Sequence, residues 1–130
     1  MMTKVDHINF WKEQAVQDFD IAVYNSQGGK NVSSLFFYHL AFEKILKAIW
    51  VKDNINNTPP FSHDLQKIYG ETSLNLELSD FDYLSIISSW NIDTRYPDFK
   101  LTLHKRADKS YMSFHESRLK VLFQWLLSQL

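Results

Sequence analysis

The 130-residue chain has room for one hydrophobic core but not for two, so a single domain over residues 1–130 is expected. It contains no cysteine, which excludes disulfides, thiolate zinc sites and cysteine nucleophiles. The net charge of −1 offers no global positive field to nucleic acid, yet residues 1–60 balance while residues 61–99 carry −5 and residues 100–130 carry +4.

Such an asymmetry either orients a partner or a second subunit, or reflects solvated helix faces. The opening Met1-Met2-Thr3-Lys4 lacks the apolar stretch of a signal peptide, and no run reaches the ~18 apolar residues needed to cross a bilayer. A cytoplasmic protein without a membrane partner is expected.

In chain order, the first predicted helix covers Asp6 to Asn25. Trp11, Ala15, Asp18 and Ala22 recur at spacings of three and four, with Phe10 and Phe19 beside them. Ala15 and Ala22 let a neighbouring helix approach closely, whereas Asp18 on that stripe needs a partner or a route to water. Gly28-Gly29 closes the helix, since glycine readily takes the left-handed conformation.

The second predicted helix, Val32 to Asp53, has Asn31, Ser33 or Ser34 as its cap. Apolar residues occupy more than one of its sides, which predicts a position at the centre of a bundle or burial by both the core and a partner. Pro59-Pro60 cannot continue a helix. A short helix from Ser62 or His63 to Tyr69 follows, anchored by Leu65 and Ile68. Ser79 is the expected cap of a fourth helix with Phe81, Leu84, Ile87 and Trp90 facing inward. Residues 91–103 read as an irregular segment. The last helix is expected from Lys105 to Ser128, its apolar line running through Ala107, Tyr111, Phe114, Val121, Leu122 and Trp125. The predicted fold is all-α, an up-and-down four-helix bundle with an additional short helix.

No glycine-rich phosphate loop or HExxH motif is present. His104 and Asp108, four apart, do not make a metal site by themselves, and no metal or cofactor is expected. Three polar clusters carry more weight. His39 and Glu43 sit four apart beside Lys44 and Lys47, either as a helix-surface pair, as a histidine satisfied at a dimer seam, or as a proton-transfer unit. His63 and Asp64 either start the short helix or add to a polar site. Arg95, with Asp93, Tyr96 and Asp98, either pins its loop by pairing with Asp18 or Asp98 or grips a phosphate or carboxylate. Lys100, Lys105, Arg106 and Lys109 form a further basic group near Tyr96, Phe99 and Tyr111.

Trp11-Lys12-x-x-Ala15-x-x-Asp18, Phe37-Tyr38-His39-Leu40-Ala41-Phe42-Glu43-Lys44-x-Leu46-Lys47-Ala48, His63-Asp64-Leu65 and Arg95-Tyr96-Pro97-Asp98 follow one another along the chain. In that order they resemble the HEPN domain family, named for a nucleotide-binding domain of higher eukaryotes and prokaryotes, over roughly residues 6–125. The resemblance implies a helical bundle, often dimeric and often paired with a minimal nucleotidyltransferase. It also implies nucleotide or RNA binding and, in several branches, ribonuclease activity in toxin–antitoxin or defence systems.

The ribonuclease branches place an arginine, a polar residue and a histidine with four to six residues intervening. Here Arg95 precedes His104, and Arg106 precedes His115, each with eight between. The leading expectation is therefore a homodimer that binds a nucleotide or a partner protein, such as a minimal nucleotidyltransferase, without chemistry of its own. Lys44, Lys47, Arg95 and Tyr96 are the binding candidates, and Asp18, His39, Glu43, His63, Asp64 and Asp98 support them. The alternatives are an atypical metal-independent ribonuclease using Arg95 and His104, and a purely structural interaction module.

Overall fold

Thr3 begins the first helix because its hydroxyl accepts from the Asp6 amide while the Asp6 carboxylate accepts from the Thr3 amide. This reciprocal box satisfies two donors that a helix start otherwise leaves unpaired. In the computed structural model, which describes residues 1–98 and 101–130, helix α1 runs Lys4–Gln27 and α2 runs Asn31–Asp53. Helices α3 (Leu65–Gly70), α4 (Leu78–Arg95), α5 (Thr102–Arg106) and α6 (Lys109–Ser128) complete the described chain, and no strand occurs among the described residues. No described helix is long and apolar enough to cross a membrane.

The all-α bundle predicted from periodicity is the fold observed, with four long helices and two short ones rather than one. Helix α2 is its axis, packing on α1, α3, α4, α5 and α6. This explains its apolar circumference: Leu35, Phe42, Ile45, Leu46 and Ile49 are all fully buried. Helix α1 lies closest, because Ala15 and Ala22 present no side chain beyond Cβ and both are sealed. There Ser34 Oγ donates to the Ala22 carbonyl at 2.6 Å. Phe19 stacks on Phe123 of α6 at 4.4 Å between centroids, closing the core from the far side. Phe10, expected beside the inward stripe, is exposed.

Several boundaries differ from the sequence reading, each for a local reason. The cap of α2 is Lys30, without a side-chain hydrogen bond. Asn31, Ser33 and Ser34 are instead committed elsewhere: Asn31 to the Ala107 carbonyl, Ser33 to Asn25, and Ser34 to Ala22. Gly29, not Gly28, supplies the left-handed turn, with φ +78°. At the other end of α2, Lys4 Nζ donates to the Val51 and Asn54 carbonyls at 2.7 and 2.6 Å. A cation on unpaired carbonyls at a helix C-terminus opposes the dipole there.

Ser79 does not cap α4; Glu77 stands at that position and Ser79 lends its carbonyl to Arg118. Helix α4 continues five residues past Trp90 to Arg95 and stops where Pro97 forbids a helical Tyr96. The expected single last helix is broken at Ala107-Asp108. Asp108 accepts from the Tyr111 amide and so starts α6 afresh, leaving α5 as a separate turn. Helix α6 buries Met112, His115, Leu119, Leu122, Phe123 and Leu126. Phe114, Val121 and Trp125, placed inward by the sequence reading, lie on its outer side.

Candidate functional site

Two polar centres lie along α2, and they differ in kind. The first is internal. Glu43 is buried, and its two oxygens are divided between two cations or potential cations. Oε1 is 2.6 Å from His63 Nδ1, and Oε2 accepts from Lys47 Nζ at 3.1 Å. Lys47 is itself buried and lies over the Trp11 ring at 5.3 Å. One turn away, Lys44 Nζ meets Asp18 Oδ2 at 2.6 Å, which resolves the anomaly of a carboxylate on the inward stripe of α1. Asp64 accepts from the Gln66 and Lys67 amides and caps α3.

His39 is fully buried, so the expected surface pair or dimer-seam histidine is not what forms. Its Nε2 donates to the His63 carbonyl at 3.2 Å and stands 3.9 Å from Glu43, while Nδ1 has no partner among the described residues. Burial pushes its pKa below the ordinary histidine value of 6.5, against smaller opposing effects of the His63 carbonyl and Glu43. The native ring is therefore neutral, whereas the unfolded chain takes up a proton near pH 6.5. Stability from this group is complete above that pH and declines as pH falls below it. Urea midpoints measured from about pH 7.5 down to about pH 5 should fall, and His39→Gln should flatten the slope. An unchanged slope in that variant would remove His39 as a source.

This first centre consumes Lys44 and Lys47. Both are candidates for contacting an anion in the sequence, and both are paired with carboxylates, half-buried Lys44 with Asp18 and buried Lys47 with Glu43. Asp98 is likewise committed: it accepts from the Thr102 amide at 2.7 Å and from the Thr102 hydroxyl, and these bonds hold its carboxyl below the usual range.

The second centre opens to solvent at the end of the bundle where the α1–α2 turn meets the end of α4. A cavity of about 580 Å³ there is lined by Lys30, Asn31, Phe36, Arg95 and His104, among others. Among the described residues, no carboxylate lines it. Arg95 is exposed and makes no ion pair with Asp18, Asp98 or any other described carboxylate, so the loop-pinning role read from sequence is not the one it has. Its guanidinium lies 5.6 Å from the centre of the Tyr96 ring. His104 reaches the same cavity although eight residues separate it from Arg95, because the end of α4 and α5 both border it. Tyr96 faces a neighbouring cavity of about 190 Å³, together with Asp93, Asp98, His104 and Arg106.

Of the basic group noted in the sequence, Lys105, Arg106 and Lys109 are exposed around α5, while Lys100 and the adjacent Phe99 lie outside the described residues. His104 lies on α5 while Asp108 caps α6, and no cluster of three or more histidine and acidic side chains able to hold a metal occurs among the described residues.

Lys30, Asn31 and Phe36 are the cavity residues that sequence reasoning missed. The available signal was topological: antiparallel α1, α2 and α4 place the Gly28-Gly29 turn and the end of α4 at one end of the bundle.

The HEPN domain family model matches residues 8–118. No curated protein and no solved structure gives a significant match.

Proposed function

The chain belongs to the HEPN domain family, and from that premise we propose that it binds the phosphate of a nucleotide or RNA strand in the Arg95 cavity. The observation that carries this reading is an exposed arginine in a cavity that Lys30 also lines, with no carboxylate among the described residues paired with it or lining that cavity. Guanidinium presents paired donors to phosphate oxygens, and an uncompensated cation retains its attraction for them. Phe36 supplies an aromatic ring on the same wall, of the kind against which bases stack.

The protein in this reading performs no chemistry alone and works as a homodimer or with a minimal nucleotidyltransferase. Exposed Phe114, Val121 and Trp125 on the outer side of α6 favour an apolar contact with another chain. The test is equilibrium binding of nucleoside mono- and triphosphates and of short RNA. Arg95→Ala should weaken binding at least about tenfold, corresponding to ~1.4 kcal/mol. Binding unaffected by that substitution would sink the assignment.

One observation favours a second reading, an atypical metal-independent ribonuclease. His104 and Arg95 line one cavity despite the long spacing, which puts a proton-transfer group and a charge-stabilising group on the walls of one site. In chelator-containing buffer this reading requires RNA cleavage that both Arg95→Ala and His104→Ala abolish. Intact RNA at high protein concentration leaves the binding reading alone.

A further inference from the structure

His115 of α6 is 6% exposed and enclosed by aromatic rings. Tyr83 lies nearly parallel to it at 5.7 Å, Trp90 meets it edge-on at 5.2 Å, and Tyr111 and Phe114 lie at 4.3 and 5.1 Å. Its Nδ1 is 2.6 Å from the Tyr83 hydroxyl. Burial, reinforced by Arg118, lowers the imidazole pKa, so the ring is neutral and carries one N–H. Burial also holds Tyr83 protonated, and its hydroxyl has no other acceptor among the described residues. The arrangement that satisfies both groups has the hydroxyl donating to Nδ1, which assigns the ring proton to Nε2. That N–H has no partner among the described residues.

His115 lines a cavity of about 290 Å³ whose other walls include Ile86, Trp90, Leu103 and Tyr111, with Asp93 and Arg106 also bordering it. The N–H is not sealed from solvent but opens on this cavity, so an acceptor on a ligand would replace the water that otherwise serves it. The volume is at the small end for ligand pockets, suited to part of a nucleotide. Arg106 also lines the 190 Å³ cavity, and His104 joins that cavity to the Arg95 cavity. Three hollows thus follow one another around α5, the first two sharing His104 and the last two sharing Asp93, Leu103 and Arg106.

We propose that the His115 cavity is a nucleobase pocket, in which Nε2–H donates to a ring nitrogen or carbonyl of the base and Arg106 meets the adjoining phosphate. It deepens the nucleotide reading of the Arg95 cavity and rests on it only for the neighbouring nucleotide. The ligand that fills both is a strand of at least two nucleotides passing over α5. The apolar walls accept the faces of the heterocycle, and the His115 donor selects for an acceptor on its edge.

The test uses the whole chain and nuclear magnetic resonance. The Trp90 indole N–H, which donates to Tyr111 at 3.2 Å, reports on this pocket, and the Arg95 guanidinium reports on the other. The four 5′-phosphorylated RNA homodinucleotides are titrated beside ribose 5-phosphate, which has no base. At least one dinucleotide should move both signals, and ribose 5-phosphate only that of Arg95. His115→Phe keeps the aromatic packing and deletes the donor; it should weaken the dinucleotide about tenfold and leave ribose 5-phosphate unchanged. Arg106→Ala, at an exposed position, should weaken the dinucleotide as well and serves if His115→Phe fails to fold.

The pocket is overturned if every dinucleotide leaves Trp90 unmoved, or if the folded variants bind as wild type does. Movement at Arg95 alone removes the base pocket and keeps the phosphate site. Movement at Trp90 alone keeps the base pocket and removes the phosphate site, and silence at both removes the two together.

Discussion

Glu43→Ala is expected to destabilise the fold by about 3–5 kcal/mol, because it leaves the Lys47 ammonium buried with no countercharge. Only the Trp11 ring would then face that cation, and an aromatic face offers about 2 kcal/mol even when desolvated. The same substitution frees the His63 side chain, so the segment leading into α3 keeps only the His39 bond to the His63 carbonyl of these two ties to α2. Urea unfolding should show a lower midpoint at an unchanged slope, and amides around His63 and Leu65 should exchange faster. The double variant Glu43→Leu with Lys47→Met should recover most of the loss, since neither charge then remains to be desolvated. A loss under about 1 kcal/mol in the single variant would mean that Lys47 reaches water after all.

Trp90→Ala should cost a comparable ~3–5 kcal/mol for a different reason. Trp90 is 1% exposed and stands between α4 and α6, edge-on to His115 and donating its indole N–H to the Tyr111 hydroxyl. Removing it opens a large cavity and leaves the aromatic enclosure of His115 without a wall. Trp90→Phe separates the two contributions: it keeps much of the apolar area and deletes the hydrogen bond, so a loss of ~1 kcal/mol is expected on top of a smaller void. If alanine and phenylalanine cost the same, packing is not what Trp90 contributes.

Both predictions depend on contacts between residues far apart in the chain, and this marks where the sequence was legible. The inward stripe of α1 was readable because Ala15, Asp18 and Ala22 repeat at helical spacing, and all three are buried. The central place of α2 followed from apolar residues on more than one side. The stripe of α6 was misread because that helix carries two apolar lines, and periodicity does not say which one meets α2; Phe114, Val121 and Trp125 form the line left outside. The break before α6 was missed because the capping role of Asp108 competes with an otherwise continuous helical pattern.

The candidate site was legible in its residue types and illegible in its pairing. Asp18, Glu43, Lys44, Lys47 and Arg95 were all singled out, yet three cations of similar local context met different fates. Lys44 and Lys47 sit on the central helix, half-buried and buried respectively, and each is paired with a carboxylate. Arg95 sits on the last turn of α4, where the chain leaves the bundle and water solvates the cation without a partner.

By itself the sequence determined the helical class, the number of long helices, the family and the order of its polar motifs, because these depend on local spacing and residue type. Only the tertiary structure decided which cations are consumed and which remain open, and that Arg95 and His104 share a cavity. It alone enclosed His115 in aromatic rings. Those outcomes depend on desolvation and on distances between separate helices, which arise only when the chain has packed around α2.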